Sequence, residues 1–297
     1  MARASFVALP QRGILAVGGP DRRSFLQGLV SNDVEKVSAE QARYAALLTA
    51  QGRYLHDFIM IELDEAILLD AEAARLSDLK RRLSIYRLRA RVTLEQRPEL
   101  AVVAVFGEGT LAALGLAAEP GQARPFAEGA ALVDPRHAAL GARIVAGRDS
   151  AERALAEAGL AVGEFADWDR LRLSLGVPDG SRDLVPEKSI LLESGFDELN
   201  GIDWQKGCYI GQELTARTKY RGLVKKRLMP VRIDGPLPAP GAILTLNGQE
   251  AGEMRSNRGD IGLALLRIDR LGELIDGNAT GLVALPPSSM PHLGEAS

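Results

Sequence analysis

Hydrophobic positions in the first hundred residues follow two periods in quick succession. "RYAALLT" (43–49) and "YLHDFIMIEL" (54–63) are short apolar-rich runs separated by "AQGR", whose glycine permits a tight reversal, so together they predict a hairpin. "AILLDA" (66–71) predicts another strand. From 72 to 86 the period lengthens: Ala73, Leu76, Leu79 and Leu83 recur at helical spacing, and "RARVTLEQ" (89–96) then alternates as a strand does. Upstream, Asp21 is placed to cap a short helix beginning "DRRSFLQGLV", with Phe25, Leu26 and Leu29 on one face. Strands and helices mixed on so short a scale imply an α+β layer with a sheet covered on one face, not a doubly wound nucleotide fold.

The texture changes twice further on. Pro120, Gly121, Pro125, Gly129 and Pro135 break any long element between 120 and 140, which reads as a connection. "SAERALAEAGL" (150–160) and "EFADWDRLRLSLG" (164–176) read as helices, the second carrying Arg170 and Arg172 ahead of a "GVPDG" turn. After about 223, short strand-like pieces alternate with Gly, Pro and the hairpin pair Asn247-Gly248, as in a small antiparallel barrel. "PPSSMPHLGEAS" reads as a loose tail. Two units are therefore expected, 1–222 and 223–297.

Composition narrows the function classes. With 46% hydrophobic and 25% charged residues, the 297-residue chain is an ordinary globular sequence. Its single cysteine excludes an internal disulfide, no segment reads as a secretory leader, and the apolar runs are too short to span a bilayer. A cytoplasmic protein without membrane contact is the expectation. The net charge of −3 argues against nucleic acid, although "KRRLSIYRLRAR" (80–91) and "KYRGLVKKR" (219–227) concentrate basic residues around a tyrosine. Each cluster is either a solvated face or an anion site.

Candidate chemistry centres on the one thiol. If "CYIGQELTARTKY" (208–220) is a single helix, Cys208 lies at its N-terminal end, where the dipole and Lys206 favour a thiolate. The residue is then a nucleophile, a sulfur acceptor or a metal ligand; otherwise it is a small apolar filler. Gly207 and Gly211 permit close approach of a ligand backbone. Glu213 and Arg217 are spaced as a surface ion pair. His56, His137 and His292 lack metal-ligand spacing to one another or to Cys208, so no metal site is expected within one chain. Neither a phosphate-binding loop nor a dinucleotide fingerprint occurs.

"KGCYIGQELTARTKYRG" followed by "KKRLMPV" closely resembles the signature of the YgfZ-type folate-binding proteins, including the branch that holds the mitochondrial factor for late [4Fe-4S] cluster assembly. "FLQGLVSNDV" (25–34), "YAALLTAQGRYLHDF" (44–58), "LLDAEAARLSDLKRRLSIYRLRARV" (68–92) and "RLRLSLGVPDG" (170–180) fit the same family in the same order, with 97–165 the least distinctive part. The resemblance implies a fold like the glycine-cleavage T-protein: two interleaved α+β units and a C-terminal barrel around an opening that accepts tetrahydrofolate. It implies Cys208 as the working residue at the mouth of that opening, surrounded by the motif positions Lys206, Gly207, Tyr209, Gly211, Gln212, Glu213 and Arg217. Asn32, Asp33, Gln51, Tyr54, Arg172 and Glu213 are the implied folate contacts.

The sequence departs from T-proteins at one chemical position. Where they carry an aspartate pair, this chain reads His56-Asp57, which removes one carboxylate from the region of amine transfer. The T-protein motif also lacks the cysteine. The resemblance therefore implies a folate-binding accessory factor for assembly or repair of [4Fe-4S] enzymes, working with A-type carrier proteins and client enzymes. The alternative is a tetrahydrofolate-dependent aminomethyl transferase with Asp57 as base.

Overall fold

Tyr54, Asp57, Ile59 and Ile61 face one way and His56, Phe58 and Met60 the other, and both sides of their strand are buried. That double burial explains why the segment reads as apolar almost throughout. The computed structural model describes residues 3–275 and 282–285.

The chain begins with β1 (Ser5–Ala8) and passes to β2 (Arg12–Gly18), α1 (Arg22–Gln27), β3 (Arg43–Leu48), β4 (Tyr54–Leu63), β5 (Ala66–Glu72), α2 (Leu76–Tyr86) and β6 (Thr93–Gln96). It continues through β7 (Leu100–Phe106), α3 (Thr110–Ala113), β8 (Ala123–Phe126), β9 (Gly129–Val133), β10 (Ala142–Gly147), α4 (Arg148–Glu157), β11 (Ala161–Val162) and α5 (Phe165–Ser174). A long irregular segment leads to α6 (Gln212–Tyr220). Then come β12 (Lys226–Ile233), β13 (Ile243–Leu246), β14 (Gln249–Arg258), β15 (Ile261–Arg267), α7 (Leu271–Ile275) and β16 (Leu282–Ala284).

Three sheets result, ordered β3-β4-β5-β2-β6, β11-β1-β7-β10-β9-β8 and β13-β14-β15-β12-β16. Because β1 joins the second sheet before the chain builds the first and returns, the two α+β units are interleaved, as the resemblance implied. The outer face of the first sheet is covered by α1 and by Leu76, Leu79 and Leu83 of α2, each buried leucine contributing about 1.5–3 kcal/mol. Its inner face joins a core shared with the second sheet, α5 and the third sheet. The expected one-sided cover is thus corrected to a two-sided one.

Buried charge cross-links the first two sheets. Arg12 of β2 and Arg143 of β10 both donate to Asp70 of β5, at 2.7 and 2.8 Å, while Arg143 and Arg136 share Asp134. Three guanidiniums against two carboxylates leave a positive excess, and Asp57 adds negative charge near Arg12 and Arg136. The packing is therefore also an electrostatic register between sheets.

Several local expectations change. The 120–140 stretch holds the β8–β9 hairpin: Pro125 is tolerated because β8 is an edge strand, and Ala127 and Glu128 turn with φ of 50° and 59°. Asp21 precedes α1 but does not cap it, since its carboxylate accepts from the Arg91 backbone and guanidinium. Residues 89–92 lie outside the β6 ladder, which starts at Thr93, and the Arg91 backbone N–H is satisfied by Asp21 instead. Asn247-Gly248 turns β13 into β14 as expected, with φ of 52° and 76°. The tail from 286 to 297 lies outside the described residues.

Candidate functional site

Gly211 has a φ of +82°, so no helix passes through it, and α6 begins only at Gln212. Cys208 is therefore not at a helix N-terminus as expected; it is exposed on the loop before it. The two neighbouring glycines differ. A Cβ on Gly211 would stand 2.5 Å from Thr49 O and 3.0 Å from Gly52 Cα, whereas one on Gly207 meets nothing within 4 Å. Close approach at Gly211 is used by the protein's own β3–β4 turn.

That turn carries Gln51, which is exposed, and Gly52, whose φ of +76° lets it pack on Gly211 O and Leu214. From the other side the loop is held by Lys206. Its buried ammonium donates to the carbonyls of Gln27, Val30 and Asn32 at 2.9, 2.6 and 2.8 Å and lies 5.1 Å from the Tyr209 ring centroid. Burial lowers this ammonium to about 8, against the opposing charges of Asp33 and Asp203. All three of its N–H directions are spent on carbonyls, so the lysine clamps the loop that carries the thiol.

The same segment is zipped to the turn after α1. Asn32 donates its amide to Tyr44 O and Asn200 O, Ser31 Oγ donates to Gly201 O, and Ile210 N donates to Gly28 O. Asp33 accepts from Gln27 and from Glu35 N, and Lys36 bridges to Asp203. Tyr209 is buried, which pushes its phenol up to about 12, and Gln212 accepts from Tyr209 N. On α6, exposed Glu213 pairs with Arg217 at 2.6 Å, and Lys219 sits 3.7 Å over the Trp204 ring. Asn32, Asp33, Gln51 and the whole 206–217 motif are thus one neighbourhood, with Cys208 presented outward on a braced loop.

Tyr54 and Arg172 lie elsewhere. Tyr54 and Tyr44 donate their hydroxyls to the two oxygens of buried Asp57, at 2.8 and 3.0 Å, and burial raises both phenols. The partnership of Tyr44 was missed from sequence, where 43–49 read only as a strand, and no local pattern pairs its hydroxyl with Asp57 across a bulged register. His56 points to the outer layer, 2.9 Å from Asp78 of α2. Burial and the Arg75 charge pull its imidazole down to about 4, against the pull of Asp78, so the neutral ring donates from Nε2.

Arg172 is wholly enclosed between α5, the 177–183 turn and β14. It donates to Asp169, Val177 O, Asp183 and Ser256. Burial raises the Asp169 carboxyl, but hydrogen bonds from Arg182 and the charges of Arg172 and Arg182 outweigh it and bring it down to about 2. For a pterin or a glutamyl tail the buried part of this set does not fit: Asn32 and Tyr54 have spent their donors on internal partners, Arg172 has spent four of its five, and Asp57 accepts from two hydroxyls. Among the described residues no group of three or more His, Cys, Asp and Glu side chains is arranged to hold a metal.

A family model described as the CAF17 C-terminal beta-barrel domain matches residues 225–292. The chain is 38% identical over 285 residues to the mitochondrial iron-sulfur cluster assembly factor IBA57 of Mus musculus, and 40% identical over 281 residues to that of Homo sapiens. Each alignment covers 89% of this chain and 77% of the relative. Among solved structures, the glycine cleavage system aminomethyltransferase T from Bartonella henselae superposes with a TM-score of 0.72 at 18% identity, over 90% of this chain and 79% of that chain. That likeness shows the T-protein fold. The expected cytoplasmic placement is corrected by the relatives, which are named as mitochondrial.

Proposed function

The chain belongs to the IBA57 family of iron-sulfur cluster assembly factors, and from that membership we propose that it serves the assembly or repair of [4Fe-4S] enzymes, with Cys208 as the thiol that meets the cluster or its sulfur. The observation that carries the reading is the loop itself: the chain's one cysteine is exposed while the residues around it are anchored by three carbonyl contacts and a glycine-to-glycine approach. A thiol held this way meets an incoming group without first ordering its own backbone.

One thiolate is a small share of the about four that an iron-sulfur cluster takes. The cluster is therefore cargo whose remaining ligands come from a partner, and A-type carrier proteins and [4Fe-4S] client enzymes are the partners proposed. Tetrahydrofolate has no step in this function. Of the side chains expected to hold it, Asn32, Tyr54 and Arg172 are engaged with internal partners, and Asp57, the base in the transferase alternative, is shared by two tyrosines.

The test is aconitase-type activity in cells lacking the protein. Deletion is expected to lower it, wild type to restore it and Cys208→Ser to fail. Equal rescue by Cys208→Ser would remove the thiol from the mechanism, and undiminished activity on deletion would remove the assembly role.

A further inference from the structure

The basic stretch at the end of α2 has no part in the site described above, yet it holds the most unusual backbone position among the described residues. Leu88 has a φ of +41° and is 89% exposed. The other non-glycine residues with positive φ among the described residues are Asp, Glu, Asn and one Ala, so Leu88 alone combines that conformation with a bulky apolar side chain. A bulky residue there is strained, and its side chain gains nothing from the fold. Beside it Ile85 is 61% and Tyr86 40% exposed.

Charge surrounds this apolar tip. Arg81 and Arg82 pair with Asp78, Arg82 also with Glu187, and Arg91 with Asp21; Lys80, Arg87 and Arg89 have no ion-pair partner among the described residues. Leucine, isoleucine and tyrosine ringed by arginines is the composition of an interface centre with a charged rim. We propose that the 85–89 tip is a docking surface for an acidic face of a [4Fe-4S] acceptor protein, a proposal that rests on the assembly reading above. The unpaired cations supply the complementarity. With Arg81, Arg82 and Arg91 paired to Asp78, Glu187 and Asp21, only Lys80, Arg87 and Arg89 are left over, fewer than the roughly four to eight basic residues of a surface that holds an anionic bilayer, and the net charge of −3 disfavours RNA. The contact is small, as befits a transient encounter.

The probe is the apo form of a strongly acidic [4Fe-4S] ferredoxin, titrated against the full chain by fluorescence anisotropy. Arg87→Glu with Arg89→Glu is expected to weaken binding by about tenfold or more, with the loss shrinking as salt rises. Leu88→Gly removes the apolar tip while suiting the left-handed backbone, so binding weakens severalfold and the melting temperature holds or rises. Cys208→Ser keeps the docking affinity, which separates the two ideas: its rescue result judges the assembly reading, and the tip variants judge the surface. No binding by wild type, or unchanged affinity in both tip variants, overturns the proposal. Binding to phosphatidylserine vesicles or single-stranded RNA that the same variants abolish, without ferredoxin binding, also overturns it and assigns the tip to that ligand.

Discussion

The Cys208 loop and the Arg172 knot both come from stretches that the motif resemblance assigns to one site, and their side chains are treated oppositely. Around Cys208 the backbone is anchored and the reactive atom left in solvent. At Arg172 the guanidinium is fully buried and bonded to two carboxylates, a carbonyl and a hydroxyl. Membership in a motif thus does not separate a group that meets a partner from one that holds the fold; hydrogen-bond satisfaction does. The knot joins α5 to β14 of the third sheet, so its work is to fix the barrel against the rest.

The sharpest way to break this comparison is Arg172→Met. It leaves Asp169 and Asp183 buried without their shared cation, at an expected cost of about 3–5 kcal/mol in denaturant unfolding. Residual contacts from Arg182 and Arg258 to Asp169 set the lower end. A loss under about 1 kcal/mol would show the guanidinium to be spare, as a ligand-binding group would be.

A comparable test concerns His56, which the sequence presented as a catalytic substitution and the structure places on the outer layer. Its folded value near 4 lies below the ordinary 6.5, so between these values the unfolded chain binds more protons. Stability is full above pH 6.5 and falls as pH drops through 4, by up to about 3 kcal/mol. His56→Gln should flatten that part of the pH profile relative to wild type. Identical profiles would mean that the imidazole is not held neutral.

Much of this architecture was legible from periodicity. β4 stands where its apolar run put it, and the leucines of α2 stand where helical spacing put them. The interleaving was legible only through the resemblance, since no local pattern tells β1 that its partner is β7. Residues 123–133 were misread because proline and glycine mark loops on average, while an edge strand accepts both. In the site, the spacing of Lys206 to Cys208 suggested activation. Nothing in the text showed that three carbonyls of the 27–32 segment converge on that ammonium, because they become a binding cup only after α1 ends.

Lys206 is also where the comparison is finest, since it supports a presented group by means of a buried charge. Lys206→Met removes three charge-assisted hydrogen bonds, each worth about 1.5–3 kcal/mol, but also the cost of keeping an ammonium out of water. The two nearly offset, and a net loss of about 2 kcal/mol is expected in denaturant unfolding. The local effect is more telling. With the clamp gone, amides of 28–33 and 207–211 should exchange faster with deuterium, while those around Arg172 keep wild-type protection. If both regions loosen together, the loop and the knot are one cooperative unit, and the rigidity of the thiol belongs to the whole fold. If only the loop loosens, presentation of Cys208 is a local property made by one lysine.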